Sequence, residues 1–305
     1  MINFRYHIVS LMAVFLALAV GITLGVTLVS GEANKGLAAQ AEQDRKQVQQ
    51  YRDQLSQQQK LDEYRDAYTK AVGKDLTSNM LSGTSVAVVA MPNAPRSTIR
   101  DLKQAVGDAG GTVASTTTIN AEVFDPDSNQ TVQQKLAPYN KLTRDDTTLP
   151  AKFGTVLGHA LLGHNSGTVD KNADEIGDAL NGSLIKLDRS TEEKARLVII
   201  VGAPASDPPV GAQTLSRHVA FDVALSSAAA GTVLAGPNST GTEGTDVAAV
   251  RSDADARTEM SSVDVADLPS GVSTVIMAGR EQLDNGQGHY GAANADAAAP
   301  ELPLK

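Results

Sequence analysis

Ser85-Val86-Ala87-Val88-Val89-Ala90-Met91, closed by Pro92-Asn93-Ala94-Pro95, is the stretch that decides the fold. A short apolar, β-branched run ended by a proline-rich turn reads as a strand buried on both faces. Residues 97–109 then place Ile99, Leu102 and Val106 on one helical face, with Gly110-Gly111 as the stop signal. A second strand is expected over residues 112–119. Strand, helix and strand in that order form a βαβ unit, which requires a parallel pair and a right-handed crossover.

The pattern returns downstream. Leu197-Val198-Ile199-Ile200-Val201 is a buried strand closed by Gly202-Ala203-Pro204, a helix is expected over residues 212–230, and Thr232-Val233-Leu234-Ala235-Gly236-Pro237 follows. Val247-Ala248-Ala249-Val250 and Val272-Ser273-Thr274-Val275-Ile276-Met277-Ala278 read as two further strands. The middle, residues 127–182, reads as helices broken at Pro138, Pro150 and Gly167, and the Ala- and Pro-rich residues 292–305 as a flexible tail. The expected class is α/β, with a mainly parallel sheet domain over residues 83–291.

Ahead of that domain the texture differs. Residues 35–82 are rich in Gln, Lys, Asp and Glu and contain no Pro. Leu37, Ala41, Val48, Tyr51 and Leu55 follow the 4-3 spacing of a coiled-coil seam, with Asp44 and Gln58 as polar members. After a slip of three residues the seam resumes at Leu61, Tyr68 and Val72, a stammer that overwinds a supercoil locally. The seam is poor in Leu, Ile and Val, so two readings stand: a paired coiled coil over residues 32–82, or a solvated helix lying on its own globular body. Either makes a rod of roughly 70 Å.

Near the start of the chain, residues 8–29 are 22 uncharged residues, enough helix to cross a bilayer core of about 30 Å. Ala13, Ala17, Gly21 and Gly25 recur every fourth residue along one face, a small-residue row that lets two helices approach closely in lipid. A signal peptide would have a shorter apolar core and a small-residue cleavage site, and Val29-Ser30-Gly31 is a poor one. Residues 1–31 therefore read as an uncleaved, dimerising anchor with a short tail (Asn3, Phe4, Arg5). Arg5 lies before the span while Lys35, Arg45 and Lys46 lie after it, so charge alone does not orient it.

Composition excludes several classes. With no Cys among 305 residues there is no disulfide, thiolate nucleophile or Cys-based metal site. No Trp and few other aromatics argue against aromatic girdles and base-stacking platforms. Of the net charge of −9, residues 83–305 carry −10, since residues 31–82 balance and residues 1–30 add one positive charge; an acidic body disfavours nucleic acid.

The search for chemistry yields little. The turns at Pro92-Asn93, Pro204-Ala205-Ser206-Asp207 and Gly236-Pro237-Asn238-Ser239 fall where a doubly wound sheet keeps its site, yet ordinary strand-to-helix turns account for them equally. No phosphate loop, dinucleotide fingerprint or nucleophile elbow occurs. His159 and His164, five apart, point to different faces, while His218 and Asp222 are spaced for a hydrogen bond across one helical turn. Gly288-His289-Tyr290-Gly291 reads either as an interaction loop or as a closing turn whose rings plug the core edge. The six Met form no cluster, so no copper site is expected; nor is any catalytic residue, cofactor or metal site.

The opening block and rod, together with Ala249-Val250-Arg251, Asp253, Asp255, Ser262-Val263-Asp264 and Gly288-His289-Tyr290-Gly291, resemble an actinobacterial envelope family known as MctB-like. The resemblance implies one of two functions. One is a channel-like outer-membrane protein that expels copper. The other, described in corynebacteria as SteB, is the membrane partner of the cytoplasmic protein SteA in cell separation, acting on peptidoglycan hydrolases. A channel needs several spanning helices or a closed barrel, and this chain offers one helix and a buried parallel sheet. The expectation is therefore a non-enzymatic, homodimeric, single-pass plasma-membrane adaptor with its C-terminal domain outside the cytoplasm. The alternatives are a copper efflux protein, placed in the outer mycomembrane, and a membrane-tethered ligand-binding domain or enzyme.

Overall fold

The structure is a computed structural model that describes residues 4–144, 147–165, 167–239 and 241–302, with residues 4 and 27–34 described as helical backbone only. Asn3 of the expected tail, the Phe4 side chain and residues 303–305 lie outside the described part. The chain divides into two compact units, residues 1–65 and 66–305.

The first unit is helical: α1 runs from Phe4 to Leu76 and supplies all of its described residues. Residues Arg5–Val26 form a span long and apolar enough to cross a membrane. Ala13, Ala17, Gly21 and Gly25 are all exposed on it, as are Leu37, Ala41, Val48, Tyr51, Leu55 and Leu61. A Cβ added at Gly21 or Gly25 would meet nothing within 4 Å.

The second unit takes in the last turns of α1, from residue 66 onward. Gly73 and Thr77 are buried, Lys74 pairs with Asp108 at 3.0 Å, and a Cβ on Gly73 would lie 2.7 Å from Ser273 Oγ. This packed face is distinct from the apolar seam, whose Tyr68 and Val72 stay exposed. The last turns of the helix thus lie on the body through small residues while the seam remains open.

The body alternates strands and helices: β1 (Ser85–Ala90), α2 (Arg96–Asp108), β2 (Thr112–Ile119), α3 (Asn129–Leu136), α4 (Leu149–Leu161), β3 (Gly167–Thr168), α5 (Lys171–Leu180), β4 (Ile185–Arg189), β5 (Glu193–Lys194), β6 (Leu197–Val201), α6 (Ala212–Ser226), β7 (Gly231–Ala235), α7 (Asp246–Ser252), α8 (Ala256–Glu259), β8 (Ser261–Val263), α9 (Pro269–Leu283) and β9 (His289–Tyr290). Seven strands form one sheet in the order β4-β2-β1-β6-β7-β8-β9, parallel throughout except for the antiparallel edge strand β4. Strand periodicity builds two cores. Ala87, Val89, Val198 and Ile200 face one layer, with Leu157, Phe153 and Phe221 from α4 and α6. Val86, Val88, Leu197, Ile199 and Val201 face the other, with Leu102 and Val106 from α2 and Val275 and Ala278 from α9. Alternate residues of one strand serve opposite layers, which is why these strands read as unbroken apolar runs.

Two expected strands are helices. Residues 247–250 lie in α7, where Thr245 caps the helix by accepting from Ala248 N, and Val247 and Val250, three apart, face the core. Residues 272–278 lie in α9, which starts at Pro269 and buries Gly271, Thr274, Val275, Ala278 and Gln282 at helical spacing. Pro at the first helical position was the overlooked start signal, outweighed by the β-branched run. Part of residues 292–305 is tied to the body. Ala292 and Ala293 donate to Asp264, and Arg257 pairs with Asp296 at 2.8 Å, fastening residues 292–296 to the body.

Candidate functional site

Chain order reverses at the middle of the sheet: from β1 the next sheet strand, β2, lies on one side, and β6 returns on the other. A crevice opens beyond the carboxyl ends of strands at such a switch point. Here it is a cleft of about 470 Å³ lined by Pro92 and Asn93 after β1, Phe124, Asp125 and Pro126 after β2, Ala203 to Ser206 after β6, and Thr214, His218, Thr245 and Asp246. Two of the three turns suspected from the sequence therefore form its rim. The third stands behind them, with Ser239 Oγ accepting from Ala205 N at 3.1 Å.

His218 is set by packing from α6. Gly154 and Gly158 of α4 let the two helices close: a Cβ at Gly154 would be 2.5 Å from Phe221 O, and one at Gly158 would be 2.8 Å from Ala228 Cβ. Phe124 then meets the imidazole edge-on, with ring centroids 4.3 Å apart. His218 does not bond Asp222, as its spacing suggested. Its Nδ1 lies 2.7 Å from Asp246 Oδ1, contributed by the first residue of α7. With Nδ1–H donating to that carboxylate, Nε2 is left as the ring's acceptor, and it has no partner among the described residues. Thr214 lies one turn earlier on the same face of α6.

Asp222 is completely buried, and neither carboxylate oxygen has a hydrogen-bond partner among the described residues. Burial first, then the charge of Asp246, push its pKa well above the usual carboxylate range. Asp222, its carboxyl held toward the protonated form by burial, thus stands behind the His218–Asp246 pair. The strand-like composition of residues 247–250 hides Asp246 in the sequence; Thr245-Asp246 followed by Ala248 is the capping signal that reveals it.

The suspected C-terminal loop is a strand, with His289 and Tyr290 forming β9, both buried. His289 Nδ1 lies 2.9 Å from Ser262 Oγ and its Nε2 3.1 Å from Arg257 O. Its pKa is lowered, chiefly by burial. Tyr290 donates to Glu281 at 2.6 Å, and burial followed by that bond pushes its pKa up. Between them, Arg251 donates to Ser262, Tyr290 O, Ala293 O and Asp264, the Arg251–Asp264 pair being 4% and 1% exposed. Gly291, at φ +137°, lies against Asp264 where a Cβ would collide with the carboxylate. The glycine-flanked motif therefore closes the sheet edge, with its rings turned inward.

The remaining candidates do not converge. His159 is exposed on α4, and His164 Nε2 contacts Ser227 O at 3.0 Å. Among the described residues no group of three His, Cys, Asp or Glu side chains could hold a metal ion.

A family model described as "Copper transport outer membrane protein, MctB" matches residues 1–300. Proteins named copper transporter MctB from Mycobacterium tuberculosis and Mycobacterium bovis are each 29% identical over 95% of this chain and 96% of their own length. One from Mycobacterium leprae is 28% identical over the same shares.

Proposed function

The chain belongs to the MctB family, and from that premise we propose that it acts in copper handling at the cell envelope. The observation that carries this reading is similarity over almost the whole chain to proteins named for copper transport. The apolar span Arg5–Val26 supports membrane attachment. One such helix lines a pore only by oligomerising, and Ala13, Ala17, Gly21 and Gly25 offer a packing face rather than a polar stripe. The role proposed is accordingly that of a non-enzymatic, anchored component of a copper system, with the α/β unit outside the cytoplasm. Two copies pair through the small-residue face and the seam of Leu37, Ala41, Val48, Tyr51, Leu55, Leu61, Tyr68 and Val72.

The adaptor reading, with a SteA-like partner and a peptidoglycan hydrolase, now stands second. Its support is the architecture of one anchoring helix joined to an acidic α/β body, whereas the names of the relatives speak of copper.

Deleting the gene in the host and measuring cell-associated copper across a copper series tests the proposal. Copper accumulation reversed by the full-length chain is the expected result. Unchanged copper content together with cells that fail to separate in copper-poor medium would replace it with the adaptor. Fractionation of the same cells distinguishes a plasma-membrane from an outer-membrane location.

A further inference from the structure

The switch-point cleft has a chemistry of its own. Among the described residues no Lys or Arg lines it, whereas Asp125 and Asp246 do, so its field repels phosphates and carboxylates. Neither carboxylate is idle: Asp125 Oδ1 accepts from Asp127 N at 2.9 Å, and Asp246 Oδ1 holds His218. Among the described residues no third His or carboxylate gathers with them into a group that could hold a metal ion. What remains for a ligand is a hydrogen-bond acceptor, His218 Nε2, in a cleft that Thr214 and Asn93 also line. Around these lie flat apolar surfaces from Pro92, Pro126 and Pro204. About 470 Å³ falls within the range of small-ligand sites.

We propose that this cleft binds an uncharged sugar or sugar-like polyol. The apolar C–H face lies on the proline wall, and one hydroxyl donates to His218 Nε2. His218 is held for that role on two sides, by Asp246 at Nδ1 and by the edge contact with Phe124. Asp222 is completely buried behind the pair, and burial together with the charge of Asp246 holds its pKa well above the usual carboxylate range. The inference is independent of the copper reading, since it draws only on the cleft.

Saturation-transfer NMR on the full-length chain in lipid nanodiscs tests it, using glucose and maltose as probes, with glucose 6-phosphate and choline as anionic and cationic comparisons. Transfer to the C–H protons of a neutral sugar is expected. Affinity should fall about tenfold in His218→Ala, the loss of roughly one hydrogen bond. Ala205→Phe, on the exposed rim, should block binding while leaving the His218–Asp246 pair in place. No transfer from either neutral sugar, preferential binding of glucose 6-phosphate or choline, or binding untouched by both variants would each overturn the proposal. Copper accumulation in deletion cells is a separate readout, so the two readings fail independently.

Discussion

Two residues carry sharp consequences. Gly291 occupies a left-handed backbone conformation against the Asp264 carboxylate, which is itself committed to Arg251, Ala292 N and Ala293 N. In Gly291→Ala the new Cβ must displace a buried ion-pair partner, so a loss of about 3 kcal/mol is expected in chemical denaturation of the full-length chain. An unchanged midpoint would show that residues 291–293 relax at no cost. Asp222 makes stability depend on pH in the less familiar direction. Its folded pKa is raised, so above the ordinary carboxylate range the unfolded chain has released a proton that the folded chain still holds. Stability then falls as pH rises toward the folded pKa, by up to about 1.4 kcal/mol per pH unit. Asp222→Asn removes that dependence. The variant should match the parent near pH 4 and exceed it in melting temperature at pH 8; an equal difference at both pH values would mean that Asp222 is ionised in the fold.

At the element scale, α1 carries two kinds of small-residue contact. Gly73 is packed within the body, whereas Gly21 and Gly25 face open space in the single chain. Leucine at Gly21 and Gly25 together therefore meets no obstacle within one copy. If the row packs against a second copy, the double variant should weaken self-association in membranes several-fold while leaving the melting of the body unchanged. Cross-linking between seam positions such as Leu55 and Leu61 reads this directly, and undiminished cross-linking would remove the small-residue row from the interface. The sheet shows how far elements were legible. Residues 85–90 and 197–201 are buried on both faces, so their composition alone identified them as strands. In α9 the run from Val272 to Ala278 has equally strong strand composition, yet Pro269 starts a helix and Gly271 fits against the Val265 carbonyl. The true neighbours in the sheet, β8 and β9, have three and two residues, too few to carry a period.

For the whole molecule, the governing fact is how little soft metal chemistry the chain offers. It has no Cys, and Met91, Met260 and Met277 are buried in its cores. Cu(I) favours thiolate and thioether ligands. Equilibrium dialysis of the purified full-length chain against Cu(I) held by a thiol chelator should therefore leave it essentially copper-free. A stoichiometric copper in that experiment would reveal a site assembled between copies. The candidate cleft was only half legible. Pro92 and Pro204 follow obvious strands, so the rim was visible, but Phe124 and Asp246 enter from elements whose positions depend on the finished sheet.

By itself, the sequence determined the apolar span, the polar helix behind it and the central parallel strands. Each of these follows from the composition and period of adjacent residues, which tertiary context does not reverse when the whole run is apolar or the whole run polar. Tertiary structure weighed the helix starts at Thr245 and Pro269 over the strand-like composition of residues 247–250 and 272–278, and it alone decided that His218 pairs with Asp246, 28 residues away, instead of Asp222, and that His289 and Tyr290 face inward. In these cases local preference was nearly balanced or misleading. The outcome was set by which distant group completed a hydrogen bond or filled the core.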